Sequence, residues 1–247
     1  GLAVIGDNDN TEDAGYAAQF NDFFKKTVSP DKYMTMVTGF MNGDYGKKVP
    51  KTSLYWLEYA AEIDDPEAVY QLSGFYQIGA MGYPKDLSKA QELEAYAAEN
   101  GSAIAMFAQG VRYFHGTGVK RDWKTSEKWL RKSAEYGYVD AAYVLATAYA
   151  GTRDSKSYDI TANQKLGRRY AKIAAEAGNT EAMALYASYL LKSPKSMKYE
   201  DEVFYWLNKA ADGGNEKVEK VLAQVGPTLR ASYRKSRERK ATLRRPI

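Results

Sequence analysis

The chain repeats itself at a step of 36 to 41 residues, and that period restricts the fold more than any other feature. A pair of small residues recurs as Ala60-Ala61, Ala97-Ala98, Ser133-Ala134, Ala174-Ala175 and Ala210-Ala211, with steps of 37, 36, 41 and 36 residues. Five residues before the second member of each pair stands a large apolar side chain: Trp56, Leu93, Trp129, Tyr170 and Trp206. Seven residues after it comes a small one, Ala68, Ala105, Ala141 and Ala182, with Val218 in the last copy. Eight further on lie Tyr76, Tyr113, Tyr149 and Leu190. A period of this length marks one supersecondary unit per repeat. Such a unit cannot bury its apolar face alone and does so by stacking on its neighbours.

Each unit reads as two helices. In "PEAVYQLSGFY", Ala68, Leu72 and Tyr76 recur at i, i+4 and i+8, one face of a helix. A turn containing glycine follows. In "SEKWLRKSAEYG", Trp129, Leu130 and Ala134 form the predicted buried stripe, and Glu127, Lys128, Arg131 and Lys132 face water. Gly137 ends this helix, with Gly101 and Gly178 in the same place in their copies. Glycine there takes the left-handed conformation that closes a helix.

The segment "GVRYFHGTGVKRDWKTSEKWLRKSAEYG" resembles a Sel1-like repeat, a relative of the tetratricopeptide repeat. Tyr113, Gly116, Gly118, Val119, Asp122, Trp129, Lys132, Ala134 and Gly137 fill the positions of that pattern. The other copies depart from it mainly in their loops: "GFMNGDYGKKVP", "GFYQIGAMGYPKD", the insertion "GTRDSKSYDITANQ" and "LLKSPKSMKYED". The resemblance implies an all-α fold, a right-handed α-solenoid of about five Sel1-like helix-turn-helix repeats. They span about residues 31–65, 66–101, 102–137, 138–178 and 179–214. Around them the expected parts are a flexible acidic lead over 1–13 and an N-terminal capping helix over 14–30, capped by Asp13. A C-terminal capping helix over 215–229, opened by "NEKVEK", and a basic tail over 230–247 follow.

Composition removes several function classes. Hydrophobic residues make up 45% and charged residues 27%, an ordinary foldable balance. There is no cysteine, hence no disulfide, thiol nucleophile or zinc thiolate site. The lone histidine, His115, lacks the second histidine or cysteine that a metal site needs and falls at a variable turn position of the repeat. Gly116-Thr117-Gly118 lacks the Gly-x-x-x-x-Gly-Lys-Ser/Thr pattern of a phosphate loop. No catalytic residue, metal or cofactor is therefore expected. No run of about 18 apolar residues is present, so no transmembrane segment is expected. The net charge of +4 hides an asymmetry. From Arg230 onward there are eight basic residues and one acid, leaving 27 basic and 30 acidic residues in the body. A mildly acidic body argues against nucleic acid as the partner.

The resemblance to Sel1-like proteins implies a non-catalytic protein-protein interaction scaffold or adaptor. By analogy with tetratricopeptide stacks, the first helix of each hairpin lines a concave face. This makes Tyr70, Gln77, Phe107, Val111, Phe114, Tyr143 and Thr147 the candidate partner-binding residues. Phe107, Val111 and Phe114 share a helix face, either covered by a neighbouring unit or open as a groove for a peptide or helix. Arg230, Arg234, Arg237 and Arg239 are the candidates in the basic tail, for a peripheral membrane or assembly contact. Two alternatives stand beside the scaffold. One is an immunity or inhibitor protein that wraps a secreted effector enzyme; the other is a structural subunit of a bacterial envelope or secretion assembly docked through the tail. A start at Gly1 is compatible with a processed or a trimmed N-terminus, and the resemblance to a family with many exported bacterial members makes the periplasm or cell envelope the expected compartment, with the cytoplasm as the alternative.

Overall fold

The structure, a computed structural model, describes residues 28–42, 44, 50–151, 160–193 and 196–243. Among the described residues it contains helices and no strands. The acidic lead and almost all of the expected helix over 14–30 lie outside the described residues. The chain divides into two compact units, residues 1–109 and 110–247.

In the first unit a 3-10 turn, Pro30–Lys32, leads into α1 (Tyr33–Asn42), α2 (Pro50–Glu62), α3 (Pro66–Ile78) and α4 (Leu87–Glu99), with α5 (Ala103–His115) crossing the division. α1 packs on α2, α2 on α3 and α3 on α4. Trp56 and Leu57 of α2 are buried against Tyr33 and Val37 of α1 and Ala68 of α3. The Trp56 and Tyr33 rings lie 5.4 Å apart. Gln109, at the position that Leu72 and Leu145 hold in the neighbouring copies, is buried, and its amide donates to Glu94 Oε1 at 3.2 Å. That bond meets the cost of placing the amide inside.

The second unit continues with α6 (Trp123–Glu135), α7 (Val139–Ala148), α8 (Gln164–Glu176) and α9 (Thr180–Leu191). A 3-10 turn, Ser196–Tyr199, precedes α10 (Glu200–Asp212), and α11 (Glu216–Leu243) ends the unit. Each helix from α6 to α11 packs on the next, and α7 also touches α9, the corresponding helix of the following hairpin.

The helix boundaries follow from short-range chemistry repeated in register. Side chains of Asp65, Ser102, Asn179 and Asn215 accept backbone N–H groups at the starts of α3, α5, α9 and α11, at 2.8 to 3.2 Å. Asp86, Asp122 and Asn163 do the same for α4, α6 and α8, at 2.9 to 3.0 Å. Each satisfies donors that a helix start leaves open. Gly101, Gly137, Gly178 and Gly214 follow the second helices with φ between 88° and 117°. Asp64 occupies the same place after α2 with φ 63°, a conformation strained for a side chain bearing a Cβ.

In the first and third hairpins a serine hydroxyl of the second helix is aimed at a carbonyl of the first. Ser53 Oγ of α2 donates to the Val37 carbonyl of α1 at 2.8 Å. Ser126 Oγ of α6 donates to the Gly110 carbonyl of α5 at 2.7 Å. Gly110 admits that approach, since a Cβ there would lie 2.7 Å from Leu130 Cγ. In α8 the matching residue is Gly167, which has no hydroxyl. Tyr189 of α9 fills the space, and its hydroxyl donates to the corresponding carbonyl, Ala146, at 2.7 Å.

Two expectations change. Of the stripe Trp129, Leu130 and Ala134, Leu130 is buried, whereas Trp129 and Ala134 are half-buried. Ser126 and Ser133 are fully buried with Leu130, because the hydroxyl-to-carbonyl bond sets the face of closest approach. No break separates a capping helix at 229 from a tail at 230. α11 runs unbroken from Glu216 to Leu243 with Pro227 inside it, so Arg230, Arg234, Arg237 and Arg239 belong to the same helix.

Candidate functional site

The α8 sequence "QKLGRRYAKIAAE" separates into two faces. Gly167, Tyr170, Ala171, Ala174 and Ala175 are buried. Lys165, Arg168, Arg169 and Lys172 recur at i, i+3, i+4 and i+7 and stripe the other side. This stripe borders a cleft of about 780 Å³. Its remaining lining is Asn163 before α8, Leu166 of α8, Tyr186 and Leu190 of α9, Tyr199 at the end of the second 3-10 turn and Glu202 of α10.

The charges in the cleft are poorly balanced. Glu202 Oε1 accepts from Tyr186 Oη at 2.8 Å. Burial, then that bond, raises the Tyr186 phenol far above its ordinary value, while Arg168 pulls it down. Lys172 pairs with Glu176 at 3.6 Å on its own helix, an exposed contact of little strength. Among the described residues, neither Lys165 nor Arg168 has a carboxylate within 4.0 Å. Among the described residues the arrangement holds an excess of positive charge beside the half-buried Leu166 and Tyr199, over a floor of the buried Tyr186 and Leu190. It suits binding of an anionic group.

A second cluster is internally matched. Arg131 Nη2 lies 2.6 Å from Glu127 Oε1 and donates to Tyr149 Oη at 2.9 Å, and Tyr149 Oη also donates to Glu127. Burial first, then the Glu127 bond, pushes the Tyr149 phenol up to about 12. Its ring meets Trp123 edge-on at 6.0 Å and stacks with Tyr170 at 6.3 Å. These contacts brace α6, α7 and α8 together.

None of the seven residues expected on a concave face lines the α8 cleft. Tyr70 is half-buried and Gln77 exposed on α3, and Phe107 is half-buried on the first-unit part of α5. In the second unit Val111 and Phe114 are half-buried. The Phe114 ring meets Trp123 at 5.9 Å and His115 at 5.0 Å. Tyr143 of α7 is half-buried, and burial and then the charge of Glu181 raise its phenol. Thr147 Oγ1 donates to the Val144 carbonyl at 2.8 Å, within its own helix. His115 is exposed in the last turn of α5. Arg230 lies with its guanidinium 4.0 Å from the centroid of the Phe204 ring, a cation–π contact. Among the described residues no group of three or more His, Cys, Asp or Glu is placed to hold a metal ion. No described helix is long and apolar enough to cross a membrane.

The α8 stripe was available in the sequence as a helical spacing of four basic residues. Its singularity shows on comparing copies. The same positions are Lys124, Glu127, Lys128 and Arg131 in α6, Ser88, Gln91, Glu92 and Ala95 in α4, and Asp201, Phe204, Tyr205 and Asn208 in α10. Only α8 among these four helices is basic throughout.

Stacked helical hairpins with in-register caps and glycines define an α-solenoid of about five helix-turn-helix repeats. The Sel1 repeat family model matches residues 39–65, 66–102, 103–138, 139–179 and 202–215, and the chain belongs to that family. It is 30% identical over 182 residues, 70% of its length, to the Chitin synthase regulator SKT5 of Saccharomyces cerevisiae. It is 34% identical over 84 residues, 34% of its length, to the Chitin synthase regulatory factor 3 of Schizosaccharomyces pombe. It spans 26% and 9% of those two relatives. Among solved structures, a Sel1 repeat protein from Oxalobacter formigenes is similar with a TM-score of 0.61 at 25% identity, over 81% of this chain and 78% of the other. A protective antigen of uropathogenic Escherichia coli with an SLR fold shares the fold, with a TM-score of 0.65 at 24% identity over 85% of this chain and 43% of that one.

Proposed function

We propose that this chain is a non-catalytic adaptor that binds a protein partner and regulates an enzyme by holding it. The observation that carries the reading is a Sel1 repeat solenoid whose similarity to a chitin synthase regulator extends over 70% of the chain. Solenoids of this kind present extended surfaces to partners, and their repeats need no reactive centre to do so. The finer reading is that the held enzyme is a chitin synthase.

Affinity purification from the cell of origin tests both levels. A stoichiometric protein partner and chitin synthase activity in the bound fraction are expected. A different enzyme in that fraction replaces the finer reading and keeps the adaptor. A chain that binds no protein and turns over a substrate by itself overturns both.

A further inference from the structure

We propose that the α8 cleft receives an extended acidic peptide segment of the partner, an inference that rests on the protein-binding reading above. Three observations carry it. The first is charge: among the described residues, Lys165, Arg168, Arg169 and Lys172 face the cleft against one carboxylate, Glu202, which already accepts from Tyr186. The second is length. A rise of 1.5 Å per residue makes the stripe about 10 Å long. Alternate side chains of an extended peptide lie about 7 Å apart on one face. Three carboxylates at that spacing, spanning about 14 Å, therefore cover the stripe from end to end. The third is the mixed lining. The half-buried Leu166 offers apolar contact, Tyr199 offers ring and hydroxyl, and Glu202 keeps acceptor capacity for a peptide N–H beside its bond from the buried Tyr186. A phosphate-rich polymer brings no backbone N–H donors for that acceptor.

The other hairpins supply the control. In α6 the matching positions include Glu127, which is bonded to Arg131, so the stripe is mixed and internally paired there. Charge reversal at Lys124 and Lys128 therefore tests whether basic character on a second helix is by itself enough to bind.

The probe is a short fluorescein-labelled peptide in which Asp and Val alternate, titrated by anisotropy into the full chain. Saturable binding is expected, weakened about tenfold or more by Arg168→Glu with Lys172→Glu and weakened by added salt. Lys124→Glu with Lys128→Glu is expected to leave it unchanged. Circular dichroism checks folding, and Arg168→Gln with Lys172→Gln replaces the reversal if that chain misfolds. Equal binding of a peptide with Asn in place of Asp, equal loss in the α6 variant, or no saturable binding overturns the proposal. Binding to phosphatidylserine vesicles instead of the peptide also overturns it. If the α8 variant still co-purifies with the partner, the cleft is not the docking site and the adaptor reading stands. If the unaltered chain captures no protein at all, the adaptor reading fails on its own account.

Discussion

Gly167→Ala is a single-methyl change that tests the closing of the fourth hairpin. A Cβ built there would lie 2.0 Å from Tyr189 Oη and 2.5 Å from Cζ. The Tyr189 ring is 5% exposed and cannot swing into solvent without opening the α8–α9 contact. Moving it also breaks its bond to Ala146, a carbonyl in the last turn of α7. The N–H groups of Tyr149 and Ala150 go to the Leu145 and Thr147 carbonyls, so they do not replace it. Overpacking costs about 1–3 kcal/mol. Leaving a buried acceptor unmet adds about 1–3 kcal/mol. The better helix propensity of alanine returns about 1 kcal/mol. The expected net cost is about 3 kcal/mol, read from urea denaturation followed by circular dichroism. The second arm is a double-mutant cycle. The third hairpin combines Ser126 with Ala148 where the fourth combines Gly167 with Tyr189. Gly167→Ser is therefore expected to be costly alone and tolerated beside Tyr189→Ala, where the serine can reach Ala146 as Ser126 reaches Gly110. An equal cost of Gly167→Ser in both backgrounds refutes the reasoning.

Three further outcomes are expected. Asp64→Gly relieves a left-handed residue at a place where four other copies carry glycine, and it loses the exposed bond from Tyr96 at 2.8 Å. A gain of about 0.5 kcal/mol is expected, and a loss larger than about 1 kcal/mol in urea titration shows that the bond outweighs the strain. Asn179→Ala removes the cap of α9 and costs about 1 kcal/mol, seen as a lower denaturation midpoint at unchanged slope. Burial pushes the Tyr189 phenol from an ordinary 10.0 up to about 12. The folded state thus favours the neutral phenol, and its contribution is complete below pH 10 and lost as pH rises through about 12. Tyr189→Phe starts less stable, and its deficit against the unaltered chain narrows across that window; parallel stability curves exclude the account.

The hairpin architecture was legible because its punctuation is local. Gly101, Gly137 and Gly178 adopt the positive φ expected from their place after each second helix, and the loop glycines Gly116 and Gly118 do the same at 75° and 72°. Leu130 was also legible as core. Trp129 was not, since hydrophobicity alone ranks a tryptophan above a serine, whereas the fully buried position is Ser126, where a hydroxyl meets a backbone carbonyl of the partner helix. The basic stripe on α8 is readable from spacing. The cleft beside it is not, because Tyr186, Tyr199 and Glu202 come from segments 14 to 37 residues further along and meet the stripe only after α9 and α10 fold back. The continuity of α11 was masked by Pro227 and by the change of charge near Arg230, neither of which stops a helix already formed on α10.

The bond from Tyr189 to Ala146 bears on how such a chain can be inherited. Its donor belongs to one repeat and its acceptor and vacant Gly167 to the repeat before. A duplication cut at the repeat boundary would carry the gap without the tyrosine, or the tyrosine without the gap. The segment that recombines intact is therefore offset from the visible repeat, running from the middle of one hairpin to the middle of the next.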